Sequence, residues 1–186
     1  MQDYREVLGS SPTLYTPRFV LRQPVEKDIP AIVAIVGDWE IARRLRRMPH
    51  PYSEEDARFF LTEIVPVALT WAIADRSSDQ MVGAIGLAPR EDEQASLEIG
   101  YYVAREHWGR GIATEAASVV TAYGVGLVGQ DRLTSTFFAD NPASGRVLER
   151  LGFVPVGTAE EPCLASGGTV LAVKVRLGSS SIRTIE

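Results

Sequence analysis

The chain has one cysteine, Cys163, and two histidines in 186 residues. A lone thiol excludes an internal disulfide, and this set leaves too few soft ligands for a Cys/His zinc site. No metal is expected, and thiol usage this sparse points to the reducing cytoplasm. An excess of positive charge is also missing. Lys plus Arg is 19 and Asp plus Glu is 24, a net charge of −5. The global electrostatic footprint of a nucleic-acid binder is therefore absent. No apolar run approaches the roughly 18 residues of a membrane span. The opening stretch Met1 to Glu6 is polar and mixed in charge, so no secretory signal is expected. Neither a repeat nor a low-complexity segment occurs. A cytosolic enzyme, a small-ligand binder or an adaptor remains.

What is present is ordinary for a globular domain: 45% hydrophobic and 23% charged residues, enough to bury a core. Residues 1–15 have weak periodicity and read as a lead-in. The run Gly178-Ser179-Ser180-Ser181 opens a flexible tail over 178–186. Between them, 16–177 forms one pattern. Phe19 to Arg22 reads as a strand. Val25 to Val36 reads as a helix, with Ile29, Ile32, Val33 and Val36 at helical spacing. A second helix starts at Ser53, an N-cap with Asp56 three residues on, and ends near Pro66. Trp71 to Ala74 and Met81 to Leu87 form a hairpin around Arg76 to Asp79. Leu97 to Val103 is a longer strand, and a long helix follows to about Val128. Arg132 to Phe138 is a strand, Ala143 to Leu151 a helix closed by Gly152, and Phe153 to Val156 and Thr169 to Val175 the last strands. The expected fold is a mixed α/β domain, with about seven strands in one sheet and about four helices. At least one strand–helix–strand crossover makes parallel neighbours.

The junction between the strand ending at Val103 and the following helix carries the chemistry. Gly109 and Gly111 allow a tight turn and a close ligand approach. The first amides of the helix have no intrahelical partner and sit at the positive end of its dipole. That combination suits a phosphate. It also suits a plain tight turn. A Walker GxxxxGK[ST] string is absent, and so is GxGxxG, because Thr114 stands three residues after Gly111.

The run Trp108-Gly109-Arg110-Gly111-Ile112-Ala113 resembles the Q/RxxGxG/A signature of the GNAT N-acetyltransferases. The longer run His107 to Ala116 is similar to the branch that holds the ribosomal-protein N-terminal acetyltransferases. Thr16 to Arg22, Glu98 to Val103, and Asn141-Pro142-Ala143-Ser144 with Leu148 to Phe153 match that branch in the right order. Two departures stand out: Trp108 fills a usually polar position, and Glu160 to Gly168 has no counterpart.

The resemblance implies acetyl transfer from acetyl-coenzyme A, as co-substrate, to a primary amine by direct attack. The implied acceptor is the α-amino group of a protein or peptide. A small-molecule amine, or a coenzyme-A-binding module without catalysis, are the competing readings. Members are monomers or homodimers. The implied pyrophosphate cradle comprises Gly109, Arg110, Gly111, Ile112, Ala113 and Thr114, with Trp108 at its start. Arg110 adds a cation, and Arg105 or Arg146 meets the outer phosphate. Backbone groups of Tyr101 to Val103 pair with the pantetheine arm, and Asn141 binds it from the other side. Asn141 is equally suited to cap the helix that follows it. Glu98 is the candidate base, and alternation puts Glu98, Gly100 and Tyr102 on one face. Ser144 and Tyr102 are candidates to protonate the departing thiolate. His50 and Tyr52 are candidates to touch substrate. His107 reads as structural and Cys163 as an ordinary loop residue.

Overall fold

The computed structural model describes residues 4–90 and 96–178. Its framework is an eight-stranded sheet: β1 (Leu14–Tyr15), β2 (Phe19–Arg22), β3 (Leu69–Asp75), β4 (Met81–Pro89), β5 (Leu97–Val103), β6 (Leu133–Phe138), β7 (Phe153–Cys163) and β8 (Gly168–Leu177). The spatial order is β1-β2-β3-β4-β5-β6-β8-β7. Five helices cover it: α1 (Ile29–Val36), α2 (Trp39–Ala42), α3 (Glu54–Phe59), α4 (Ile112–Val128) and α5 (Pro142–Arg150).

The local signals act as expected. Ser53 caps α3 with a reciprocal bond to Asp56, and Asn141 Oδ1 accepts from the Ser144 amide to cap α5. The chain stays helical through a π-turn at Phe60–Ile64 before Pro66. Gly152, at φ 88°, ends α5. The α1 region differs: Glu26–Asp28 is a 3-10 turn, because Asp28 accepts from the Val25 amide and from Arg22, and the α-helix begins at Ile29.

Three further differences come from long-range contacts. The sheet has eight strands and the domain five helices, since β1 and the single turn of α2 carry no periodicity of their own. Residues 4–15 pack on the domain: Tyr4 is buried, and the Pro12 carbonyl accepts from the Trp71 indole at 2.7 Å. The last hairpin runs far past the strands read from the pattern, with β7 reaching Cys163. Cys163 is thus a buried strand-end residue packed with Phe138 and Ala172, rather than a loop residue. Of the tail, Gly178 donates to Gly152 and 179–186 lie outside the described residues.

The two sheet faces are filled differently. On one, Ala116, Ala117 and Val120 of α4 pack on Trp71, Ile85, Leu87, Leu97 and Ile99. On the other, Ile29, Ile32 and Val36 of α1, with Ala57 and Phe60, pack on Ala72 and Ala84. The crossover β5–α4–β6 places parallel neighbours together. They pair only at Leu97↔Leu133, Glu98↔Thr134 and Ile99↔Ser135. Beyond that, β5 stays with β4 to Val103, while β6 stays with β8 to Phe138. The two strands part, and a wedge opens in the middle of the sheet.

Candidate active site

The wedge opens into a cleft of about 740 Å³. Its walls are the end of β5, the turn before α4, the outer half of β6, and the start of α5. Residues of α2 and the segment after it close the remaining side.

The turn is built by two left-handed glycines. Gly109 has φ 74° and Gly111, the residue capping α4, has φ 75°. A Cβ at Gly109 meets nothing within 4 Å. The backbone, rather than crowding, requires glycine, and open space lies over the turn where a ligand fits. The free amides of the first turn of α4 face this space. The turn is anchored from the far edge of the sheet. Arg18 donates to the Arg110 carbonyl at 2.9 Å and pairs with Glu115 in the first turn of α4 at 2.7 Å. Burial pushes Glu115 upward, but hydrogen bonds from Thr16 and Arg18 outweigh it and hold its carboxyl below the usual range.

Trp108 bridges turn and strand. Its indole donates to the Val103 carbonyl at 2.7 Å, and Arg44 lies over its ring at 5.3 Å. On β5, Ile99 accepts from Ser135 and Val103 from Trp108, both on the β6 side. Alternation therefore turns the backbone groups of Tyr101 to the same side, into the wedge.

Tyr101 and Ser144 meet across the cleft. The phenol donates to the Ser144 carbonyl at 3.1 Å and lies 3.0 Å from Ser144 Oγ. Burial pushes the Tyr101 phenol up to about 12, partly offset by the Ser144 bond, so it stays protonated at neutral pH. Tyr102 points to the other face, among the α1 and α2 residues, and burial holds its phenol far above the usual range. The pair is thus Tyr101 with Ser144, and Tyr102 stands apart from it on the opposite face. Asn141 lines the cleft while capping α5, so both uses of that side chain are compatible. Arg146 also lines the cleft and is joined there by Arg150. Arg105 turns away, toward Asp38 at 3.9 Å.

Glu98 sits on the face opposite α4, in a chain of ion pairs that the motifs did not show. Arg46 holds Glu98 Oε2 at 2.7 Å and contacts Glu161 at 3.4 Å, and Lys174 reaches Glu161 at 3.8 Å. Arg90 lies 3.9 Å from Glu98 Oε1. The segment without counterpart, Glu160 to Gly168, supplies Glu161 and clasps the residues after α2: Cys163 Sγ lies 3.6 Å from the Arg43 carbonyl, and Leu164 N donates to the Arg46 carbonyl at 3.2 Å. Partners 115 residues apart leave no local signal.

His107 lines the cleft beside Trp108. His50 and Tyr52 do not. His50 is exposed and tilts against Trp39 at 5.1 Å between ring centres, while Tyr52 is buried in the α1–α3 cluster, its phenol raised to about 12 chiefly by burial. No cluster of three or more His, Cys, Asp or Glu suited to a metal occurs among the described residues. Nor is any described helix long and apolar enough to cross a membrane.

Comparison with known proteins bears on the same segments. The model of the acetyltransferase (GNAT) domain matches residues 18–154. The uncharacterized N-acetyltransferase YoaA of Bacillus subtilis is 30% identical over 161 residues, covering 84% of this chain and 90% of YoaA. A GNAT-family acetyltransferase of Bacillus anthracis superposes with a TM-score of 0.76 at 21% identity, over 88% of this chain and 96% of that one. RimL, a ribosomal L7/L12 alpha-N-protein acetyltransferase solved in complex with coenzyme A, superposes at 0.71 and 19% identity, over 88% and 96%. With its glycine turn at the head of α4 and a parted sheet beside it, the chain belongs to the GNAT family of acetyl-coenzyme-A-dependent acetyltransferases.

Proposed function

We propose that this protein acetylates the α-amino group of a protein or peptide, with acetyl-coenzyme A as donor. The observation that carries this is the parting of β5 and β6 beside a left-handed glycine turn. One cleft thereby joins an anion cradle, a free strand edge and both sheet faces.

Bound acetyl-coenzyme A supplies the activated thioester and a good leaving group. The amides from Gly109 to Thr114 hold its pyrophosphate, with Arg110 and Arg146 as outer cations. The backbone of Tyr101 and the amide of Val103 pair with the extended arm, since Trp108 already occupies the Val103 carbonyl. A donor on that edge also stabilises negative charge growing on the carbonyl oxygen. Asn141 closes the arm from α5. The hydroxyls of Ser144 and Tyr101, 3.0 Å apart, form the pair that hydrogen-bonds and protonates the departing thiolate, and solvent returns the proton to the pair. Glu98, held by Arg46 through Oε2 and with Oε1 3.9 Å from Arg90, is the base that takes up the amine's proton on the opposite face.

An α-amino acceptor suits this arrangement. With ordinary pKa values near 8 and 10.4, about one α-amino group in four is neutral at pH 7.5, against about one lysine in 800. A relative in fold, RimL, is described as acting on a protein α-amino group. The test is calorimetric titration with acetyl-coenzyme A, then thiol release across peptides with free N-termini, lysine side chains and small amines. Micromolar binding with turnover on N-terminal peptides is expected. Turnover confined to small amines would replace the acceptor, and absence of binding at millimolar ligand would remove the catalytic reading.

A further inference from the structure

The opening segment Thr16 to Arg22 forms no wall of the cleft, yet Arg18 reaches the back of the glycine turn. Its amide donates to Glu115 Oε1 at 3.0 Å, its Nε donates to Oε2 at 2.7 Å, and a terminal nitrogen donates to the Arg110 carbonyl at 2.9 Å. The guanidinium also lies over the Phe19 ring at 5.2 Å, which steadies it. Glu115 does not line the cleft either, whereas Gly111, Ile112, Ala113 and Thr114 all do. Its own amide donates to the Gly111 carbonyl at 3.0 Å, so its carboxylate sits within one turn of the free amides, about 5.4 Å along the axis.

That closeness works against an anion cradle. A carboxylate in the first turn draws on the same positive potential that would hold a phosphate. One helical turn is shorter than the screening length of about 8 Å at physiological salt, so dissolved ions do not hide the charge. The peptide between Arg110 and Gly111 adds a second difficulty. Its carbonyl and its N–H point opposite ways. Gly111, at φ 75°, can take either hand, so sterics leave this peptide able to turn over and present its oxygen to the ligand.

We infer that Arg18 is a positioning residue for coenzyme A: from behind the turn it cancels the Glu115 charge and holds the Arg110 carbonyl, so that the Gly111 N–H and the amides after it meet the pyrophosphate. The inference rests on the cradle of the proposed function and adds a residue that touches no part of the ligand. Burial raises Glu115, but bonds from Thr16 and Arg18 outweigh it, so the carboxylate is charged at neutral pH and needs its cation. A guanidinium suits the task because its flat fork serves a carboxylate and a carbonyl at once. An ammonium has the charge without the span.

Calorimetric titration with coenzyme A tests it in Arg18→Met, Arg18→Lys, Glu115→Gln and the Arg18→Met/Glu115→Gln pair. Arg18→Met keeps the backbone bond to Glu115, so the carboxylate stays in place with its charge unopposed. Affinity should fall about tenfold. Arg18→Lys keeps the charge and should lose only about threefold. Glu115→Gln loses an ion pair and a first-turn charge, so it should melt lower, yet it should bind coenzyme A at least as tightly as the wild type. Stability and affinity then move in opposite directions, which a merely structural pair does not produce. The pair of substitutions should regain most of what Arg18→Met loses. Unchanged affinity in Arg18→Met overturns the role, as does weaker binding in Glu115→Gln or a pair that binds no better than Arg18→Met. If Arg18→Met does not fold, Arg18→Gln takes its place with the same expectations. If coenzyme A binds with this pattern and no amine is acetylated, the proposed function falls and the role of Arg18 stands.

Discussion

The two sides of the cleft are made of different materials. The side at α4 and α5 is built from backbone: two left-handed glycines, free helix amides and a strand edge. On the side facing α1–α3, Arg46 lines the cleft and is held from behind by side chains, Glu98 and Glu161, with Lys174 on Glu161, drawn from separated segments. A backbone cradle recognises what its ligands share, a phosphate and an extended arm. A side-chain network can be rewritten residue by residue, which suits the side proposed to meet the acceptor.

The comparison is broken most severely at Arg46. Arg46→Ala strips the nearest cation from two partly buried carboxylates. Stability should fall by about 1–3 kcal/mol, since Arg90 and Lys174 remain, and the melting temperature by about 3–10 °C. Acetyl transfer should drop with little change in coenzyme A affinity, as calorimetry would show. On the other side, Gly111→Val forces a β-branched residue to positive φ at a cost of about 1–3 kcal/mol. Coenzyme A affinity should weaken about ten- to a hundredfold, and an unchanged value would mean the turn is no cradle. Tyr101→Phe should lower kcat about tenfold at unchanged KM for acetyl-coenzyme A, with no further loss when Ser144→Ala is added. Additive losses would separate the two residues.

Arg110→Ala and Arg146→Ala should each cost no more than about threefold in coenzyme A affinity, because backbone amides carry the cradle and exposed cations add little. The smallest effect is in acid. Glu115 titrates below its unfolded value in the folded state. Its contribution is therefore present above the unfolded value near 4.3 and is lost as pH falls through the folded one. Urea unfolding from pH 5 to 3 should show that loss, and Glu115→Gln should flatten it.

Much of the cleft's near side could be read locally. Gly109 and Gly111 before an apolar helix and Asn141 before Pro142 each act within one turn of chain, where backbone sterics and capping set the outcome. Alternation on β5 placed Glu98, Gly100 and Tyr102 on one face, which the fold reproduces. It could not tell that Tyr101, on the other face, would reach Ser144 43 residues on.

The amino-acid order by itself determined the units: the glycine turn, the long helix, the central strand and the capped α5, since propensity, φ restriction and period are properties of neighbours. Only tertiary structure decided where β5 and β6 stop pairing, which arginine holds Glu98, and how far β7 extends to bring Glu161 in. Those outcomes depend on atoms brought together across tens of residues, and the free energy of such contacts exists only once the sheet has closed around them.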